Sequence, residues 1–321
     1  MINLLNLFFS RPTIFWLSAF FLAGFALAAS AIYPSYLFNR ISNYAVYILL
    51  LQFVAIFFFL TISKYRLMWI AIVCTGFLSL RLKNASNQHL ILPSRSAEEE
   101  VTVSLYHVNA MTDLNTDLQI IKEDLPDILI FNEISPEWSA FLGSEFDSLY
   151  LFKIDLPRID PFGSLLFTNH KVIKIDTLNY QNVVVSIPAL SVLFSLDDGQ
   201  AVGLTNIYNL PAINQSDYTL LGERLDEIAT HLNRIEQVPW IVVADLNMAS
   251  WVNEVSEFSA QLELQNSRRN SKLRKLPLDH IFFNSFFECY SFKEIENYGR
   301  YIGITGAYQV LKELKPQPGK N

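Results

Sequence analysis

No acidic residue occurs in the first 97 positions: the first is Glu98, and all 31 Asp and Glu residues lie from there onward. Seven basic residues (Arg11, Arg40, Lys64, Arg66, Arg81, Lys83 and Arg95) divide that stretch into uncharged apolar runs. The first, Thr13 to Tyr33, is long enough to cross about 30 Å of hydrocarbon at about 1.5 Å per residue. The second lies between Arg40 and Lys64 and is centred on Tyr47 to Leu51. The third, Leu67 to Leu80, has 14 residues and spans only if Tyr65, Arg66, Arg81 and Lys83 reach back toward the headgroups. Three transmembrane helices over 1–82 are expected, followed by a polar linker at 83–100. The first run is read as an anchor, because it is too long for a signal peptide and two more apolar runs follow it. A cytoplasmic N-terminus puts three basic residues on each side, so charge asymmetry does not orient the chain.

These runs account for a composition that is 51% hydrophobic with a mean hydropathy of +0.25. The remainder is acidic: 17 of the 24 basic residues face all 31 acidic ones, a formal net charge of −14. A domain so charged repels polyanions, which argues against nucleic acid as a partner. The two cysteines, Cys74 and Cys289, lie in different parts of the chain, so no disulfide framework is expected.

From Val101 the pattern becomes α/β. Strands are expected at Val101–Val108, Asp127–Asn132, Gly163–Thr168, Val183–Leu196, Ala201–Tyr208, Trp240–Ala244 and Leu278–Phe283. Helices are expected at Asp113–Leu125, stopped by Pro126, and at Ser216–Gln237, capped by Ser216 or Asp217. Many strands with acids or amides at their ends suggest a sheet-on-sheet core with helices outside.

Four stretches in this order resemble the endonuclease/exonuclease/phosphatase superfamily: His107-Val-Asn109, Pro126 to Glu133 with Ile-Ser-Pro-Glu-Trp138, Val242-Val-Ala-Asp245-Leu-Asn247, and Leu276-Pro-Leu-Asp279-His280. The resemblance covers roughly 101–315, leaving a tail at 316–321, and is strongest to membrane-anchored bacterial members such as the vancomycin- and teicoplanin-resistance membrane proteins. It implies a four-layer α/β/β/α sandwich, Mg²⁺ or another divalent cation, and cleavage of phosphate ester or diphosphate bonds. By the same resemblance Glu133 and Asn109 are metal-side residues. Asp245 positions or activates water, Asn247 holds a phosphate oxygen, Tyr208 lies near the scissile phosphate, and Asp279 orients a terminal histidine.

That histidine is expected to be missing. Counting back from a strand at Val310–Leu314 puts Thr305, Gly306 and Ala307 on the family's Ser-Asp-His positions, and neither Gly306 nor Ala307 can carry a proton. His280 should point to the opposite face from Asp279, and His107, His170 and His231 have no motif support. Arg268, Arg269, Lys272, Arg274 and Lys275 form a basic run that reads as a solvated loop or as a contact for phosphate or anionic lipid. Three functions follow as expectations: a membrane-anchored phosphohydrolase for lipid-linked or other phosphates; a catalytically impaired binding or assembly module with membrane-protein partners; and a membrane-tethered nuclease. The resemblance favours a multi-pass protein of the bacterial cytoplasmic membrane with its soluble domain outside.

Overall fold

The computed structural model describes residues 11–33, 35–85, 100–156, 158–160, 162–179, 187–234, 238–269 and 276–311. The expected linker from 86 to 99, the start of the Val183 strand, Lys272, Arg274, Lys275, residues 312–314 and the 316–321 tail lie outside these.

Among the described residues the first element is α1 (Pro12–Ala29), which has proline at its start. Next come the short α2 (Tyr36–Ser42), α3 (Ala45–Thr61) and α4 (Tyr65–Ala85). α1 and Tyr65–Lys83 are each long and apolar enough to cross a membrane. The second expected span is not one straight helix: α2 and α3 meet at 67° across Asn43 and Tyr44, and only together do they make a third candidate. The third is longer than its apolar run, because helix continues through Arg81 and Lys83 to Ala85, into the expected linker. Phe15, Ala19, Phe59, Ile62 and Leu67 pack where α3 turns into α4. Deeper in the bundle the Gln52 amide donates to the Leu22 carbonyl at 3.2 Å, a polar tie between two apolar helices.

The rest is two six-stranded sheets. β1 (Glu100–His107), β2 (Ile128–Ile134), β3 (Phe152–Leu156), β4 (Gly163–Thr168), β11 (Phe287–Asn297) and β12 (Arg300–Val310) form the first, in the order β11-β12-β1-β2-β4-β3. β5 (Lys171–Leu178), β6 (Ala189–Ser195), β7 (Ala201–Tyr208), β8 (Trp240–Asp245), β9 (Gln265–Asn266) and β10 (Asp279–Phe283) form the second, in the order β5-β6-β7-β8-β10-β9. In each sheet one neighbouring pair is parallel, β1 with β2 and β7 with β8. A helix makes each crossover: α5 (Leu114–Asp124) joins the first pair, and α7 (Gln215–Leu232) the second. α7 is capped by Asn214, whose side chain accepts from the Asp217 amide, two to three residues before the expected cap.

Alternation along the strands builds the core. Val103, Leu105, Ile130, Leu204, Ile241, Val243 and Ile281 point between the sheets. On the outer face of the first sheet, Leu129, Phe131 and Phe167 meet Leu118 and Ile121 of α5 and Leu142 and Phe146 of α6 (Pro136–Phe146). On the outer face of the second, Val242 and Phe282 meet Leu225 and Ile228 of α7 and Val255 and Phe258 of α8 (Asn253–Gln261). The order helix, sheet, sheet, helix agrees with the expected sandwich. Ala29, Ala45 and Leu78 of the apolar helices join that second outer cluster.

The terminal strand differs from its expected place. Thr305, Gly306 and Ala307 sit in the middle of β12, opposite Ser104, Val103 and Thr102, and not at the strand end beside Asp279. Gly303 allows β12 to approach β1, since a Cβ there would stand 2.1 Å from the Leu105 carbonyl oxygen. Replacement Gly303→Ala is expected to cost about 1–3 kcal/mol through this backbone clash, read from chemical unfolding of the full chain.

Candidate functional site

Three strands deliver charged residues to one place between the sheets. Continuing the inward alternation of Leu105 brings His107 to the end of β1, Val243 leads to Asp245 at the end of β8, and Ile281 leads back to Asp279 at the start of β10. Asp245 and Asp279 are paired residues of neighbouring strands. All three side chains are buried, and their ligating atoms lie within 4.8 Å of one another. The His107 Nε2 is 3.0 Å from Asp279 Oδ2, and Nδ1 is 3.7 Å from Asp245 Oδ2. The Tyr301 hydroxyl donates to the same Asp279 oxygen.

Glu133 reaches the cluster by a different route. Asn132 lies on the inward face, where its Oδ1 accepts from Asn206 and Ser164. Plain alternation would send Glu133 outward, but a bulge interrupts the β2–β4 ladder there, and Glu133 has φ +67°. An L residue in the left-handed region is strained, and here the strain turns the side chain. Glu133 Oε1 then accepts from the Tyr208 hydroxyl at 3.1 Å. Asn247 is also left-handed, at φ +53°. Its amide N–H donates to Asp245 Oδ1 at 3.2 Å and its side chain to the Asn209 carbonyl at 2.7 Å.

Electrostatics follows from this crowding of acids. Burial alone would lower the His107 pKa, but Asp279, by charge and hydrogen bond, together with Asp245 and Glu133, pushes it up to about 10. His107 is therefore an imidazolium at neutral pH. Burial works to raise Asp279, yet His107 and the Tyr301 hydrogen bond hold it below its ordinary range. Burial and the Asp279 charge drive Asp245 well up, against the pull of His107. Burial and then Glu133 raise Tyr208, so its phenol stays neutral.

The structure thus brings Asp245, Asp279, Glu133 and Tyr208 together, with the Asn247 backbone bonded to Asp245. Asn109 lies exposed on a one-turn 3₁₀ segment after β1. His107, set aside for lack of motif support, holds the position opposite Asp279, and Tyr301 joins it. His280 does face away: buried, it bonds Asn266 through Nδ1 and the Met248 carbonyl through Nε2. Arg268 is neither solvated nor a lipid contact, because it is buried against Glu294, donates to the Asp279 carbonyl at 3.1 Å and lies over the Phe292 ring. Arg269 is exposed.

The donor set fits a hard divalent cation. Carboxylate oxygens such as those of Glu133 and Asp245 are the ligand type such an ion takes, and burial, with the charges of Asp279 and Glu133, raises Asp245 against the pull of His107. Beside them the Asn209 amide is buried with neither Oδ1 nor Nδ2 bonded to protein.

Two outcomes follow. Replacing Asp279 by Asn leaves the His107 cation buried without its main partner, and should cost about 3–5 kcal/mol in unfolding experiments. The pH dependence has a definite sign. His107, raised from 6.5, stabilises the fold fully below that pH and loses the contribution as pH rises toward about 10. Asp279, lowered from 3.8, contributes fully above that value. The gap in melting temperature between the wild type and His107→Gln should therefore be widest between about pH 4 and 6.5 and close toward pH 10. A gap that widens with pH would contradict the charged assignment.

No family model and no curated protein matches the chain. Solved structures do. An endonuclease/exonuclease/phosphatase family protein from Bacteroides thetaiotaomicron superposes with a TM-score of 0.55 at 12% identity, covering 67% of this chain and 99% of that one. The human Nocturnin catalytic domain with bound sulfate gives 0.53 at 13% identity, covering 66% and 95%. A mannosyl-6-phosphatase from Bacteroides thetaiotaomicron gives 0.51 at 12% identity, covering 65% and 99%. The two-sheet part of this chain therefore has the endonuclease/exonuclease/phosphatase fold.

Proposed function

We propose that the chain is a membrane-anchored, divalent-metal phosphohydrolase whose substrate is a lipid-linked phosphate or diphosphate. The observation that carries the chemistry is the buried His107 held between Asp279 and Asp245. The expectation of impaired activity rested on Gly306 and Ala307, which lie in mid-strand; a histidine from β1 stands against Asp279 instead.

In this reading Glu133 holds the cation. When bound, it offsets negative charge on the phosphoryl oxygens. Asp279, itself held by the Tyr301 hydroxyl, fixes the His107 ring through Nε2, leaving Nδ1–H without a hydrogen bond at 3.7 Å from Asp245. That N–H is the donor for a phosphoryl oxygen or a departing oxygen. Asp245, made more basic by its surroundings, is the group to take a proton from the attacking water. Neutral Tyr208 keeps the Glu133 carboxylate aimed.

The lipid-linked substrate is supported by where the site lies. Asp245 ends β8, and the residues that follow it pack on Ala29, Ala45 and Leu78 of the apolar helices. The acidic surface disfavours DNA or RNA and with them the nuclease alternative. One observation favours the binding-module reading: the His107 cation already lies where it partly neutralises two carboxylates.

The test is phosphate release from lipid phosphates by the purified full chain with Mg²⁺ or Mn²⁺. His107→Ala and Asp245→Asn should each lower kcat by about 10²–10⁴-fold. A wild-type rate no higher than that of Glu133→Ala, with no thermal shift on adding the cation, would leave the binding module standing. For localisation, Ile159 is fully exposed while Cys74 and Cys289 are buried. In intact bacterial cells Ile159→Cys should react with a membrane-impermeant maleimide; protection until lysis would put the domain inside.

A further inference from the structure

The geometry points to the apolar helices as part of the site itself, with Asn43 and Arg81 as positioning residues for the segment that follows Asp245. The inference rests on reading Asp245 and Asn247 as site residues. A tether would need only a covalent link, yet residues 246–253 are bonded to three separate places in the N-terminal helices. The Ala249 amide donates to Asn43 Oδ1 at 2.9 Å, between α2 and α3. The Trp251 indole donates to the Ser42 carbonyl at 2.6 Å, at the end of α2. Asn253 donates to the Ala31 carbonyl and accepts from the Arg81 guanidinium of α4, each at 2.5 Å.

These partners are chosen by helix physics. The last carbonyls of a helix have no partner within it and carry partial negative charge. Arg81 Nε donates to the Ser30 carbonyl at 3.2 Å, at the end of α1, so one guanidinium closes a helix end and grips Asn253 together. Ala31, at φ +49°, lies in the left-handed region and is held there by Asn253.

The opposite side of the segment faces the site. Leu246 N–H donates to the Leu278 carbonyl at 3.2 Å, next to Asp279, and His280 bonds the Met248 carbonyl at 2.8 Å. Asn247 lies between, bonded to Asp245 and Asn209. The segment is thus clamped between the anchor and the β10 strand, and its strained Asn247 turn depends on both. Releasing the anchor side frees the turn that holds Asp245 in its orientation.

The experiment is amide hydrogen exchange on the full chain in nanodiscs, comparing wild type, Arg81→Ala, Arg81→Lys and Asn43→Ala. Each lost bond is expected to speed exchange of residues 246–252 about tenfold, with β1 and β2 keeping wild-type protection. Arg81→Lys, which cannot serve Asn253 and Ser30 together, should fall between wild type and Arg81→Ala. On a soluble phosphate ester, kcat should drop about tenfold with KM unchanged. If Arg81→Ala loses protection everywhere, Asn43→Ala, which removes one bond, decides. Unchanged exchange at 246–252 in Asn43→Ala, or faster exchange with full kcat, overturns the inference. An inactive wild type with accelerated exchange in the variants refutes the phosphohydrolase reading and keeps the structural coupling.

Discussion

Two buried aspartates meet on neighbouring strands of one sheet, and the structure has to compensate for their charge. Asp245 and Asp279 are register partners in the β8–β10 pair, a like-charge arrangement that destabilises a sheet unless something positive is supplied. His107 supplies it from the other sheet, so the two sheets are joined by charge at one end as well as by apolar packing through the middle. Tyr301 adds a donor from β12, which pairs with β1, and Arg268 donates to the Asp279 main chain. Strands from both halves of the sandwich thus converge to make two carboxylates tolerable.

The same arrangement suits the proposed chemistry. A cation site in a protein is a place where negative charge has been left incompletely balanced, and here one imidazolium faces Asp245, Asp279 and Glu133. The internal likeness of the sheets puts this imbalance in a natural place. Each carries one parallel pair crossed by a helix, and β1, β2 and β8 all end at the site. Open strand ends, and not a separate catalytic module, furnish the groups.

Much of this was legible from the residues. Glu133, Asp245 and Asp279 stand in the stretches that resemble the superfamily, and the apolar runs beside them are the strands that carry them. His107 was missed although its signal was present: it shares the parity of Val103 and Leu105, so it had to face the other sheet. Weight was placed on Asn109 instead, two residues on, where the strand has already ended in a 3₁₀ turn. The terminal motif was misplaced by counting from the wrong part of a long strand, since β12 runs to Val310 and its site end is near Tyr301. The bulge that redirects Glu133 has no local signature such as glycine, so period-two reasoning alone sends that side chain the wrong way. Arg268 looked like one of a cluster of surface cations because its partner, Glu294, is 26 residues away on a different strand.

The bonds between the apolar helices and the segment after Asp245 also bear on the order in which the molecule forms. Arg81 and Asn253 are 172 residues apart, and Asn253 and Ala31 are 222 apart. Contacts at such separation form late, because the loop between their ends must close first. The helices precede the sheets along the chain and can be in place while most of the sheets are still unmade. They then act as a template on which the segment carrying Asn247 is moulded, so the site is completed only on a chain whose apolar helices have already packed together.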